Sequence, residues 1–317
     1  MQKNLSSSAA PGSQTHRFGA HLSIAGGMEN AIVEAISLDC GTVQVFVKNQ
    51  RQWRASPLTD EQIAKWKAAL PTNGFGPIVA HATYLINLAS SDDELWEKSA
   101  NAFQEELRRC DALGIAYLVV HPGSPVAGTR EEGISRVSAA LNGILKSSGD
   151  IRTMPLLENT AGQGKTLGRT FADLGEILAG VKKSERVGVC IDSCHAFAAG
   201  YDLRDSAAYD RMIQEMDTEF GVNRVRCWHL NDSKTDLGSR RDRHEHIGEG
   251  KIGVAGFQNI LSDKRFVGVP MILETPKEDA NDKPMDAINL QRLREIADSV
   301  SKTGRKISTK SRKGAKN

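Results

Sequence analysis

Eight short runs of apolar and β-branched residues recur along this 317-residue chain, each closing on a polar side chain. They are Phe18–His21, Val43–Lys48, Pro77–His81, Tyr117–His121, Met154–Glu158, Val187–Asp192, Val225–His229 and Met271–Glu274. Near-continuous apolar runs are what strands buried on both faces look like, and such strands belong to parallel sheets. Stretches of helical character separate them: Met28–Leu38, Asp60–Leu70, Asp93–Leu113, Glu131–Lys146, Arg169–Val181, Ser206–Phe220, Val254–Leu261 and Pro284–Lys302. The clearest is Asp93–Leu113, where Trp96, Ala100, Phe103, Leu107 and Cys110 recur at spacings of four and three and form one apolar stripe. Ser91 or Asp92 can cap its start and Gly114 can close its end. Eight strands alternating with eight helices predict an α/β fold. Its closed form is a (β/α)8 TIM barrel, although alternation alone also admits an open doubly wound sheet. The expected organisation is a flexible arm over 1–16, the barrel over 17–300 and a basic, disordered tail over 301–317.

In a barrel of this kind function sits at the C-terminal rim of the strands. The strand ends are His21, Lys48, His81, His121, Glu158, Asp192, His229 and Glu274, so all but Lys48 can bind a metal. A chain with 8 His, 39 Asp and Glu, and 5 Cys in 317 residues does not place such groups there by chance. Beyond the sixth strand comes His195, and beyond the seventh the polar stretch Cys227–Gly253 brings Asp242 and His244. An extended backbone points residues i and i+2 to one side, so Asp242-x-His244 has a metal-ligand spacing. One Asp-x-His alone more often marks a charged surface loop, and one histidine at a strand end more often a hydrogen-bonded rim residue. Together, however, His81, His121, Glu158, Asp192, His195, His229, Asp242, His244 and Glu274 put four carboxylates on one rim. Without cations these would repel. The set is too large for one tetrahedral ion and suits two or three ions sharing bridging carboxylates. His246 could also ligate but remains unassigned.

Two other patterns fail. Gly164-Lys165-Thr166 looks like the end of a phosphate loop, but the first glycine would fall at Asn159. Cys190-x-x-x-Cys194-His195 has the wrong spacing for haem attachment. Five cysteines with no C-x-x-C pair argue for reduced, buried thiols. The first 16 residues lack the apolar segment of a secretory signal, and no stretch approaches the ~20 apolar residues of a membrane span. The chain is therefore expected in the cytoplasm, away from membranes; association with the nucleoid and a monomeric state are further expectations that these features do not themselves supply. Net charge is +2, but residues 301–317 hold seven Lys and Arg and no acid, so the remainder stands at −5. Such a tail is either solubilising or attracted to nucleic-acid phosphates.

Several strings resemble one known family: HATYLINLA (81–89), HPGS (121–124), ENTAGQG (158–164), GVCIDSCHAFAAGYD (188–202), HLNDS (229–233), DRHEHIGEG (242–250) and LETP (273–276). With GAHLSIAGG near the start and KNQRQW (48–53), they are similar to endonuclease IV, the metal-dependent apurinic/apyrimidinic endonucleases of base-excision repair. The resemblance runs from Arg17 to Ile296, in order and at similar spacings; the terminal arms lie outside it. Ala82 and Thr83 depart from the family pattern, and the Glu245–His246 pair falls where it varies. The resemblance implies a TIM barrel with three Zn2+ per chain, manganese being an alternative at one position. One zinc would be held by His81, His121 and Glu158. A second would share Glu158 and add Asp192, His229 and Glu274. The third would be held by His195, Asp242 and His244.

The implied activity is hydrolysis of the phosphodiester 5′ to an abasic site in duplex DNA by a hydroxide bridging two zincs. It would leave a 3′-hydroxyl and a 5′-deoxyribose phosphate, with 3′-phosphodiesterase activity besides. Glu158 would orient or deprotonate the attacking water. Arg51, Tyr84 and Leu85 match the loops that contact DNA and fill the gap left by a swung-out nucleotide; read from YLINL alone, Tyr84 and Leu85 could equally be core. Two other readings are a two-metal sugar isomerase-like barrel and a catalytically silent zinc-containing DNA-binding module.

Overall fold

In the computed structural model, which describes residues 16–313, eight parallel strands form one sheet. The strands are β1 (Arg17–Ala20), β2 (Gln44–Val45), β3 (Val79–His81), β4 (Tyr117–Val120), β5 (Met154–Glu158), β6 (Gly188–Asp192), β7 (Val225–His229) and, after a small hairpin, β10 (Pro270–Leu273). Their order is β1-β10-β7-β6-β5-β4-β3-β2. The two edges meet through a parallel bridge between His21 and Gln44, and Leu22 N donates to Gln44 O at 2.9 Å. The open doubly wound alternative is thereby removed. The ladders stop one residue short of the expected ends at His21, His121 and Glu274, and β2 keeps only two of its six expected residues. Its chain leaves the ladder at Phe46 to enter a long rim loop.

Helices α1 (Glu29–Ser37), α2 (Asp60–Ala69), α3 (Asp93–Leu113), α4 (Arg130–Ser147), α5 (Phe171–Ala179), α7 (Ser206–Glu219), α8 (Gly253–Ser262) and α9 (Asp286–Lys313) form the outer layer. Their starts are chemically marked. Thr59, Thr129 and Thr170 make capping boxes with Gln62, Glu132 and Asp173. Asp92 accepts from Leu95 N to start α3, and Gly114, left-handed at φ 74°, ends it. A ninth helix, the seven-residue α6 (Ser193–Ala199), was not expected. Its SCHAFAA is too short for a periodic signal. The last helix also runs on to Lys313, past the expected barrel end at 300, where a disordered tail was expected. Helix propagation from a docked segment costs little, and Lys and Arg favour it. The expected arm over 1–16 lies outside the described residues except for His16, whose Nε2 is 2.9 Å from Leu261 O.

The core has two layers. The larger lies between sheet and helices. The smaller fills the barrel interior with Val79, Val119, Leu156, Cys190, Cys227 and Ile272. All five cysteines are free and buried. Among the described residues no helix is long and apolar enough to cross a membrane.

Candidate metal centre

Side chains alternate along a strand, so the residue two places beyond an interior one also points inward. Counting two from each of the six interior core residues gives His81, His121, Glu158, Asp192, His229 and Glu274. The barrel therefore ends in a ring of donors standing directly on its apolar plug. Glu158, Asp192 and His229 are fully buried; the cluster meets solvent at His121 and Asp242, whose side chains are 35% and 41% exposed.

The donors converge in groups whose ligand atoms lie within 4.8 Å of one another. His81, His121 and Glu158 form one, and Glu158, Asp192, His229 and Glu274 a second. Glu158 joins them with separate oxygens. Its Oε2 lies 3.1 Å from His81 Nε2 and 2.9 Å from His121 Nε2, while its Oε1 lies 2.9 Å from His229 Nδ1. The third group is built by two short elements. Asp192 caps α6 by accepting from His195 N at 2.7 Å, which turns His195 inward. A hairpin of β8 (Asp232–Ser233) and β9 (His244–Glu245) carries Asp242 and His244 across the rim. Asp242 Oδ2 then lies 3.1 Å from His195 Nε2 and its Oδ1 3.1 Å from His244 Nε2. Asp192 reaches the same place, 3.7 Å from His244 Nε2, and so does the Cys194 thiol, grouped with Asp242 and His244.

Hydrogen bonds orient the imidazoles. Nδ1 of His81, His195 and His244 donates to the carbonyls of Ala82, Asn159 and Glu274 at 2.7, 2.9 and 2.9 Å. Each ring therefore turns its Nε2 to the cluster, as metal-ligating histidines do. His229 is reversed: its Nε2 faces Gln44 Oε1 at 2.8 Å and its Nδ1 faces Glu158 and Glu274. The Nε2 atoms of His195 and His244 are buried without a hydrogen-bond partner. Buried polar atoms rarely stay unpaired, and two orphaned nitrogens aimed at a carboxylate fit a cation there.

The charges are strongly coupled. Burial opposes ionisation of Glu158, but the imidazoles of His229 and His121 outweigh it and hold the carboxyl well below the usual range. Burial likewise opposes ionisation of Asp242, yet the imidazoles of His195 and His244 beside it keep its carboxyl far below the usual range. Conversely, burial disfavours charge on His195 and His244, but nearby Asp192 and Asp242 push them up to about 10 and about 9.

The other expected residues fall at three places. Tyr84 is 72% exposed on the loop after β3, with Leu85 half-buried beside it, so Tyr84 is not core. Arg51 is exposed on the loop after β2. His246 is buried away from the cluster, its Nδ1 3.1 Å from Asn289 Nδ2. Four supporting residues were missed: Gln44, Asn159, Asn231 and Gln163. Asn159 accepts from Asp192 N, Asn231 donates to Asp192 Oδ2 at 2.6 Å, and Gln163 Oε1 accepts from Asp242 N at 2.7 Å. Polar residues inside or beside apolar strand runs were the available signal.

Comparison with known proteins agrees with this architecture. A family model described as xylose isomerase-like TIM barrel matches residues 32–297. The probable endonuclease 4 of Chloroflexus aurantiacus is 46% identical over 280 residues, 88% of this chain and 98% of the relative. The crystal structure of endonuclease IV from Thermus thermophilus superposes with a TM-score of 0.78 at 37% identity, covering 89% of this chain and 99% of that one. A D-tagatose 3-epimerase-like protein shares only the fold, with a TM-score of 0.69 at 20% identity, covering 90% of this chain and 99% of that one. With the family model spanning most of the barrel and the relatives aligned almost end to end, the chain belongs to the endonuclease IV family of xylose isomerase-like TIM barrels.

Proposed function

We propose that this chain is a DNA-repair nuclease that acts, as a monomer, on abasic sites in duplex DNA. It hydrolyses the phosphodiester on the 5′ side, leaving a 3′-hydroxyl and a 5′-deoxyribose phosphate, and it also clears 3′-blocked ends. The observation that supports this most is the run of three adjoining donor groups joined by Glu158 and Asp192, with orphaned nitrogens at the third. A sugar isomerase-like barrel has no use for the third group, Asp242 with His195 and His244. A silent binding module would not need so many carboxylates gathered at the solvent-facing rim.

The donors are nitrogen and oxygen in small sets, which suits Zn2+, and three ions would be held as the groups divide. Bound there, zinc would neutralise phosphate charge and lower the pKa of water. His81 and His121 hold one end of the row, His229 and Glu274 the middle, and His195, Asp242 and His244 the other end. Glu158, which faces both of the first two groups, orients the attacking water and takes up its proton. The exposed Tyr84, with Leu85 and Arg51, meets the kinked duplex and fills the gap left by the swung-out sugar.

The test combines metal analysis with incision. Purified protein should carry up to three zincs and cut a duplex containing a tetrahydrofuran abasic analogue. Chelation should abolish cutting and zinc should restore it. Glu158→Gln should still bind the duplex while incision falls about 100-fold or more, the scale of a lost general base. Undiminished turnover by that variant would remove Glu158 from its role, and incision unaffected by chelation would overturn the metal reading.

A further inference from the structure

Lys48, the one expected strand end unable to bind a metal, lies in the loop after β2 and is buried. Its Nζ lies 3.2 Å from Glu106 Oε1, with 1% and 0% of the two side chains exposed. Desolvating two charges costs about what their attraction returns, so such a pair is weak evidence for stability. What distinguishes this pair is that both partners also grip rim loops. Lys48 Nζ donates to Trp53 O at 2.9 Å, in the loop after β2 that carries Arg51. Glu106 accepts from Thr83 Oγ1 at 2.9 Å and from Thr83 N at 3.2 Å, immediately before Tyr84 and Leu85. Nearly one turn along α3, Arg109 donates to Val47 O and Ser56 O at 2.9 and 2.8 Å, near the two ends of the β2 loop. Further back on the same helix, Lys98 Nζ sits 4.5 Å from the centre of the Trp53 ring.

We propose that Lys48 and Glu106 are positioning residues, setting the loop with Arg51 and the loop with Tyr84–Leu85 against one helix so that both meet the duplex as a single surface. This rests on the DNA-contacting reading of those loops given above. An apolar pair of similar volume would pack α3 against the barrel as well. It would not, however, fix the Trp53 carbonyl or the Thr83 backbone N–H, because only directional polar bonds do that. Displacements of about 1 Å in positioning elements can cost up to 100-fold, so a loosened pair of loops is visible in kinetics.

The experiment uses the full zinc-loaded chain and the tetrahydrofuran duplex. In the Lys48→Met/Glu106→Leu double variant, zinc content should match wild type and the protein should stay folded at the assay temperature, while KM rises about tenfold or more and kcat falls much less. A folded, zinc-loaded double variant with unchanged KM overturns the proposal. Should the double variant not fold, Thr83→Val decides, since it keeps the side-chain shape and removes only the hydroxyl bond to Glu106. A KM raised about threefold at unchanged melting temperature supports the proposal, and an unchanged KM overturns it. Wild-type protein that fails to incise the duplex would overturn the functional reading itself, an outcome seen before any variant is made.

Discussion

Gln44 shows how one side chain can set two others. It is fully buried between His21, His229 and Glu274. A carboxylate can only accept, so the 2.5 Å contact to Glu274 Oε1 must come from the amide nitrogen. The amide oxygen is therefore left for His229 Nε2, which must carry the proton and donate. One amide thus fixes the tautomer of His229 and the rotamer of Glu274, both members of the second donor group. Partners of this kind are worth about 10- to 100-fold in metal affinity. Gln44→Leu should lose zinc from that group by about this factor, read by competition with a chromogenic chelator; unchanged affinity would show that packing alone orients the two ligands. The ligands themselves were legible because each follows an apolar residue by two positions in a short run. Gln44 was not, because inside VQVFV it reads as a strand interior, and only its three partners give it a role.

At the scale of elements, the barrel strands and most helices followed from runs and stripes, whereas the parts that aim the third donor group did not. Helix α6 has only seven residues, six of them small or apolar, and no period to detect, and its start is marked by Asp192, which was read only as a candidate ligand. The β8–β9 hairpin pairs just two residues on each side, below what alternation can signal. Its stability comes from elsewhere. The buried Asp232 carboxylate accepts from the backbone N–H of Gly248, Gly250, Ile252 and Gly253 as well as Ser233. Gly250 lies so close that a Cβ there would come within 2.4 Å of Asp232 Oδ1. These bonds fold the chain after His246 back beneath the hairpin. Asp232→Ala would strand the buried N–H groups of Ser233 and Ile252 and release three partly buried ones, and should cost at least about 2 kcal/mol in urea unfolding. Because β8 loses its anchor, zinc at the Asp242–His244 end should fall before the rest. A loss below about 0.5 kcal/mol would mean that water replaces the carboxylate.

Over the whole molecule, charge is divided along the chain in a way the barrel does not require. Residues 301–317 carry seven basic groups and no acid, leaving the rest at −5, while the substrate proposed here is a polyanion. Sequence patterning could not distinguish a helical from a disordered tail, because Lys and Arg are enriched in both, and composition gives no contact. The structure continues α9 to Lys313; residues 314–317 lie outside the described part. Among the side chains of α9 that the structure describes, Ala297 and Val300 are the last to pack on the core. Removal of 301–317 is expected to leave melting temperature, zinc content and turnover at saturating DNA unchanged. If the tail touches the duplex, each phosphate it neutralises contributes about 0.9 to the slope of log K against log salt. The truncated protein should then bind abasic and undamaged duplex more weakly by the same factor at low salt, with a slope shallower by about one unit or more. Equal weakening on both duplexes follows because phosphate contacts carry no information about the missing base. An unchanged slope would assign the tail no part in DNA binding. A loss confined to abasic duplex would place it instead beside Arg51 and Tyr84, where the lesion is read.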